Sequence, residues 1–361
     1  MLRQRLDEIA KRHGCVGFGV TTADAFADVA ETMETRTAEG LSADLPFTYT
    51  DTEVATDVRR THPWAERIVA VAHPYVPGTA AVDSTEPGTM RIARFAETDH
   101  YVGLRAALEA ISAALDAHGH RSAVFADDSR LVDRAAAVRA GIGWWGKSTM
   151  VLVPGSGPWV LLGSVVTDAE LPVDQPMRRS CGTCVACMPA CPTGAIVAPG
   201  VLDASRCLAY WLQTAGVIPE RLREAVGDRL YGCDDCITAC PPGHRVLEQS
   251  IDLPLRPQIL DILGADDQTL LRRYAHFYLP GRRPRILRRN ALVVAGNDGS
   301  PQLRDVVIGY LGHPDWLLRA HAAWSAARFA GSVTDAALET AHAAERDTRV
   351  RDELELAIGL R

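Results

Sequence analysis

Eight of the nine cysteines fall between Cys181 and Cys240, and no other feature narrows the possible folds so far. The first four sit in SCGTCVACMPACPTGAI as Cys181, Cys184, Cys187 and Cys191, spaced C-x2-C-x2-C-x3-C and followed by Pro192. A matching set comes later: Cys207 alone, then Cys233, Cys236 and Cys240, again followed by proline, Pro241. Secreted disulfide proteins are usually small, with cysteines spread through the fold. Eight packed into a short stretch of a 361-residue chain read instead as metal ligands. Zinc ribbons also use C-x2-C pairs, but they do not repeat the C-x3-C-P ending. The repeated run is that of two [4Fe-4S] clusters. A tight loop aims three thiolates at one cluster, and the fourth turns away to serve the other. The expected cages are Cys181, Cys184, Cys187 and Cys240 for one, and Cys191, Cys207, Cys233 and Cys236 for the other. Cys15 stands apart and reads as a small core residue.

The rest of the composition sets the compartment and the partners. Net charge is -7, so no global positive field draws in nucleic acid or membrane, although a local basic patch stays possible. The opening MLRQRLDEIAKRHG places apolar residues at helical spacing between charges and has no signal-peptide core. No apolar run approaches the roughly 18 residues of a membrane span. A cytoplasmic, monomeric protein is expected.

Length suggests two or three domains. Residues 1–175 mix helix and strand. RIVAVAHPYV (67–76) is a β-rich run. GLRAALEAISAALDAHG (103–119) repeats apolar residues every three or four positions and stops at Gly119. LVDRAAAVRAG (131–141) is a second helix, ending at Gly141. TMVLVPGSGPWVLLGSVVTD (149–168) reads as two buried strands joined by a Pro/Gly turn, and 169–180 as a linker. Residues 176–250 hold the cysteines, with little regular structure expected. Residues 251–361 are helical. Three segments there resemble one another at a period of about 32 residues, with Asp315 and Arg319 answered by Asp347 and Arg351. That is the mark of stacked HEAT-type helix pairs, or of a plain helical bundle. The fold class is α+β followed by helical repeats.

Two motifs mislead. GIGWWGKS (141–148) matches the phosphate-binding pattern G-x4-G-K-[ST]. Such a loop must follow a strand and open a helix, so that the helix N-terminus faces phosphate. Here a helix precedes it and a strand follows. The better reading is a loop with aromatic walls and the Lys147 ammonium, lining a large flat ligand. D-x-H-x-x-G marks corrinoid binding with histidine on cobalt. Asp116, Ala117 and His118 begin it, but Arg121 holds the glycine position. A bound corrinoid is expected without a histidine ligand.

DDSRLVDRAAAVRAGIGWWGKSTMVLVPGSGPWVLLGSVVTD, the cysteine segments and RRNALVVAGN, taken in that order, resemble the epoxyqueuosine reductase family. The resemblance runs from about residue 90 into the C-terminal repeats. It implies reduction of epoxyqueuosine to queuosine at the tRNA wobble position, by cobalamin and two [4Fe-4S] clusters. It implies a cobalamin domain over 1–175, a ferredoxin-like module over 176–250 and HEAT-like repeats over 251–361. An electron donor such as a flavodoxin or ferredoxin is implied too. Asp127 matches the family's catalytic acid, and Gly141, Gly143, Trp144, Gly146, Lys147, Ser148 and Thr149 match positions beside the cobalamin. An acid in an apolar pocket keeps its proton and can give it to the alkoxide of an opening epoxide. Read without the resemblance, Asp127, Asp128 and Ser129 would cap the next helix. With it, Asp128 or Ser129 is left as the cap.

The chain departs from the family at several places. Asp99, His100, Tyr101 stands for D-Y-H, Ser164 for a glutamate, and Cys240, Pro241, Pro242, Gly243 for C-P-W-N. The alternatives are therefore a paralogous corrinoid reductase of a small molecule, or a plain iron–sulfur electron carrier. For tRNA, the segment 271–289 offers Arg272, Arg273, Arg282, Arg283, Arg285, Arg288 and Arg289 among aromatics, suited to phosphates and unstacked bases. The competing reading is a helical face whose arginines pair with acidic neighbours.

Overall fold

The computed structural model describes residues 1–44, 47–75, 87–248 and 255–359, apart from the Thr48 side chain. They fall into two compact units, each drawn from separated stretches of chain. The first takes residues up to 75, 98–205 and 234–248; the second takes 87–97, 206–233 and 255–359. The cysteine segment contributes to both units.

A four-stranded antiparallel sheet organises the first unit. Its order is Gly17–Thr22, Arg67–Pro74, Val160–Thr167, Ser122–Ala126. Side chains alternate between the faces of a strand, so each central strand presents two apolar sets. Val160, Ala70 and Ala72 pack with Ala137 and Ala140, from the helix Asp133–Arg139 and its C-cap. On the other face Gly163 lies against Leu104 and Leu108 of the helix Tyr101–Asp116. Helices thus cover both faces of an antiparallel sheet, and the two central strands read as continuous apolar runs because both sides are buried.

At Gly19 the fit leaves no room for a side chain. A Cβ there would stand 2.0 Å from the Ala140 carbonyl oxygen, which is backbone and cannot rotate away. Gly19→Ala should therefore lower stability by about 1–3 kcal/mol, the usual cost of overpacking. A melting temperature equal to wild type would show that this strand and helix separate more easily than the packing implies.

Three expected elements take a different form. Residues 149–168 do not make a hairpin. Val151–Leu152 pairs with Trp144–Trp145 in its own small ribbon, and Val160–Thr167 enters the main sheet. The turn between them closes on itself through the Val153–Gly157 bridge. The segment 169–180 is pinned rather than loose: Asp174 accepts from Arg3 at 2.7 and 2.8 Å and from the Val20 amide at 2.8 Å. The cysteine segment holds more regular structure than its glycines and prolines suggest, including the Ile196–Ala198/Val201–Leu202 ribbon and several short helices.

The second unit is helical around one core. Helices Arg285–Asp298, Trp316–Ala326 and Thr348–Gly359 pack successively, with Arg304–Gly309 and Ser332–Ala344 between them in sequence. Asp315 caps the second, its carboxylate accepting from the Leu317 amide at 3.0 Å. Asp347 stands one position before the third and accepts from Arg349 N at 3.1 Å, so the recurring aspartate marks a recurring helix start.

Candidate functional site

Asp127 follows directly on the strand Ser122–Ala126. Its φ is +54°, in the left-handed region that a non-glycine residue enters at a cost of about 1–3 kcal/mol. The side chain reaches solvent, but protein surrounds enough of it that burial lifts its carboxyl above the ordinary range. The Asp128 charge pushes the same way, and Arg105 opposes both. Its neighbour behaves oppositely. Asp128 accepts from Arg130 at 2.9 and 2.6 Å, and that contact holds its carboxyl low. Two adjacent acids thus have divided affinities, Asp127 holding its proton more tightly than an ordinary carboxyl and Asp128 less tightly.

The expected helix cap is corrected. The helix starts at Asp133, its N-cap is Val132, and no side chain caps it. Asp128 instead closes a turn of its own onto the Arg130 amide at 2.9 Å. The loop from 127 to 132 is therefore not an approach to the helix but a separate, strained turn that presents Asp127.

Around this loop lie residues that were not among the site candidates of the sequence. Tyr101 opens the helix Tyr101–Asp116 with Arg105 over its ring at 5.4 Å, and burial raises its hydroxyl. Asp133 has a buried carboxyl oxygen without a hydrogen-bond partner, and burial lifts it well above the ordinary range. Arg134 reaches the Thr149 carbonyl at 3.3 Å and makes no ion pair among the described residues. Tyr75 is buried, with its ring 5.9 Å from those of His100 and Trp159. The Cys236 thiolate acts on both Tyr75 and Arg134. Tyr101, Asp127, Asp133 and Arg134 thus share one electrostatic field, and a cluster cysteine contributes to it. The available signal was the charged pair Asp133–Arg134 at the head of an otherwise alanine-rich helix.

The glycine-rich loop follows the helix Asp133–Arg139, contains the short strand Trp144–Trp145 and leads into the strand Val151–Leu152, with no helix directly after Lys147. That order is wrong for a phosphate-binding loop. Its glycines have packing reasons. Gly141 takes φ +70° and lies under the Gln175 carbonyl, and a Cβ at Gly143 would stand 2.4 Å from the Leu152 carbonyl oxygen. Gly146 and Ser148 are buried, and Thr149 takes φ +67°. The Lys147 ammonium donates to the Gly182 carbonyl at 2.7 Å, so it holds the first cysteine loop rather than walling a ligand. Trp145 remains 46% exposed, and the indole nitrogen of Trp144 is buried without a partner.

Within the first unit Cys181, Cys184, Cys187 and Cys240 come within each other's field. Burial raises the Cys187 and Cys240 thiols, and the charges of the other members raise them further. Four mutually repelling thiolates suit a cationic iron core. Trp159 is 1% exposed and donates from its indole nitrogen to the Gly243 carbonyl at 2.9 Å, which anchors the helix Pro241–Glu248 that follows Cys240. Cys191 is different. Burial would raise it, but hydrogen bonds from Thr193, Ala195 and Ile196 outweigh that and lower it. The Ala195 amide lies 3.2 Å from its sulfur. Cys236 lies within the helix Asp235–Thr238. In the second unit Cys207 sits at the N-cap of the helix Leu208–Gln213, and Cys233 packs on the core.

The arginine segment divides. Arg289 is fully buried and donates to the carbonyls of Thr214, Gly216 and Trp211 at 2.6–2.8 Å. Arg288 is nearly buried and pairs with Asp267, and Arg285 pairs with Asp315 at 3.2 Å. Arg288 and Arg289 thus leave the expected RNA surface, because their guanidiniums satisfy carbonyls and a carboxylate of the protein itself. Arg272, Arg273, Arg282 and Arg283 are exposed, as is Tyr278. No helix among the described residues is long and apolar enough to cross a membrane.

A family model of the 4Fe-4S double cluster binding domain matches residues 180–243, and one of HEAT repeats matches 278–359. A double-cluster domain exists to carry electrons: this is an iron–sulfur oxidoreductase. The epoxyqueuosine reductase of Bacillus subtilis (strain 168) is 30% identical over 99% of this chain and 96% of its own length. That of Vibrio cholerae is 33% identical over 73% of this chain and 74% of its own. The chain belongs to the epoxyqueuosine reductase family. A crystal structure of selenomethionine-labelled epoxyqueuosine reductase superposes with a TM-score of 0.91 at 28% identity, over 99% of this chain and 98% of that one. Another, of the enzyme with an epoxyqueuosine-modified tRNA-Tyr stem loop, gives 0.89 at 29%, over the same shares.

Proposed function

We propose that this chain reduces epoxyqueuosine to queuosine in tRNA, with Asp127 as proton donor, cobalamin as the cofactor and the two clusters as the electron supply. The Asp127 carboxyl carries the reading: it is held in a strained turn, burial raises its hold on a proton, and Arg105, Tyr101 and Asp133 lie within its field.

The residues fit a corrin ring. The indole nitrogen of Trp144 is buried without a partner, Trp145 is exposed, and Arg134 makes one long hydrogen bond to the Thr149 carbonyl and no ion pair among the described residues, which leaves flat and polar groups for a ligand. His118 gives its ring nitrogen to the Ala114 carbonyl at 2.8 Å on its own helix, in keeping with a corrinoid that takes no histidine from that motif. When bound, reduced cobalamin supplies a cobalt nucleophile toward an epoxide carbon. Asp127 gives its proton to the oxygen as the ring opens, and the fixed charge of Asp128 next to it discourages earlier loss of that proton. Gly141, Gly143, Trp144, Trp145, Gly146, Ser148 and Thr149 would line the cofactor, while Lys147 steadies the first cysteine loop through the Gly182 carbonyl. Cys181, Cys184, Cys187 and Cys240 hold one cluster, and Cys191, Cys207, Cys233 and Cys236 the other.

Arg272, Arg273, Arg282 and Arg283, with Tyr278, offer the cationic and stacking surface for the RNA. The segments 1–175, 176–250 and 251–361 carry cofactor, clusters and repeats in turn. A flavodoxin or ferredoxin donor, a monomeric state and a cytoplasmic setting complete the proposal. The test is anaerobic reconstitution with cobalamin and a low-potential reductant on epoxyqueuosine-containing tRNA. Queuosine is expected only with both present. Cluster-loaded, cobalamin-bound protein that forms none would move the reading to a small-molecule corrinoid reductase.

A further inference from the structure

Reducing an epoxide to an alkene breaks two C–O bonds, forms one C=C bond and releases the oxygen as water. The balance is two electrons and two protons for each substrate. The clusters provide the electrons, but Asp127 holds one proton. Within the field of Asp127 lies a second carboxyl that ordinary helix chemistry does not explain.

Asp133 is the first residue of the helix Asp133–Arg139. A carboxylate at that position normally stays ionised, because free amides and the helix dipole favour it. Here one carboxyl oxygen is buried with no hydrogen-bond partner, and no cation pairs with the group among the described residues. Its neighbour Arg134 turns to the Thr149 carbonyl instead. Buried polar atoms are nearly always satisfied, so an orphan beside a reactive acid asks for a role. The groups acting on it are few. Asp127 and Asp128 from the loop favour retention of its proton, Arg134 opposes it, and Tyr101 from the facing helix shares the same field.

We propose that Asp133 stores the second proton the reaction consumes, and passes it on after Asp127 has given up its own. This rests on Asp127 being the first donor. Asp133 is a positioning and relay residue; Asp127 is the group that meets the substrate oxygen. In the first protonation the Asp127 O–H bond breaks and an O–H bond forms on the opening epoxide oxygen. In the second, the Asp133 proton moves to the emptied Asp127 site, and Asp127 protonates the departing hydroxide to water. Bulk solvent then returns two protons, one to Asp133 and one to Asp127.

Two measurements decide it. The first is the infrared carbonyl band of a protonated carboxylic acid, recorded across pH on the cluster-loaded protein without cobalamin. Wild type and Asp127→Asn should keep a band at neutral pH that Asp133→Asn lacks. The second is queuosine formation in single and repeated turnover. Asp133→Asn should slow it at least tenfold and flatten its pH profile, with iron content unchanged, and Asp133→Glu should restore most of the rate. If Asp133→Asn does not fold, the wild-type band and the Asp133→Glu rate still decide. A neutral-pH spectrum without that band, or an Asp133→Asn enzyme with wild-type rate and pH profile, overturns the proposal. Wild-type turnover by Asp127→Asn would instead remove the reading beneath it.

Discussion

Asp127→Asn should lower queuosine formation by about 10²–10⁴-fold, the usual contribution of a placed general acid. Asparagine keeps the shape and the loop but has no proton to give. Iron content and cobalamin affinity should stay at wild-type levels, which separates this result from a collapsed site. The pH behaviour follows from the direction of the shift. The folded protein raises the Asp127 carboxyl above its ordinary value of 3.8, mainly by burial. The protonated form is the active one, so the rate should fall as pH rises through the raised value. Stability has the same sign. Between 3.8 and the raised value the folded state binds more protons than the unfolded state, so this group's contribution declines with rising pH. Above that window the ionised carboxylate opposes folding. Asparagine escapes this, and the variant should melt no lower than wild type at neutral pH. Wild-type activity in Asp127→Asn would end the assignment.

Cys187→Ala should be as damaging by a different route. Cys187 is buried among Cys181, Cys184 and Cys240, and its loss opens one cage. Iron should fall from about eight to about four atoms per chain, because a [4Fe-4S] cluster needs its four thiolates. Activity should drop to background, since a broken relay cannot be rescued by the intact cluster. Cys15→Ser is the control. Cys15 is buried, its thiol pushed up to about 12, and it lies far along the chain from the cluster loops. Iron content should be unchanged there. Full iron in Cys187→Ala would show that the cage is wrongly assigned.

Some of this was open to reading in one dimension. Cluster ligands announce themselves because a cubane needs thiolates from one short loop, so the requirement is written as spacing. The helix ends at Gly119 and Gly141 were legible for a similar reason: a left-handed residue after a helix favours glycine locally. The recurring Asp315 and Asp347 likewise mark helix starts through a contact two residues away.

Other features depend on residues far apart in the chain. The arginines of 271–289 look alike as a string, yet Arg289 meets carbonyls about 75 positions earlier while Arg283 faces water. Lys147 reads as a ligand-facing ammonium until Gly182 is found beneath it. The apolar run 149–168 looked like one hairpin, but the sheet takes only its second half because Arg67–Pro74 and Ser122–Ala126 supply the partners.

From its sequence alone this protein shows that it binds two clusters and carries helical repeats, and the family resemblance singles out Asp127. Those are properties of short segments, whose chemistry is complete within a few residues. Only the tertiary structure sets Asp133 beside that acid and removes Arg288 and Arg289 from the surface. Burial and field are sums over neighbours from the whole chain, and no local pattern contains them.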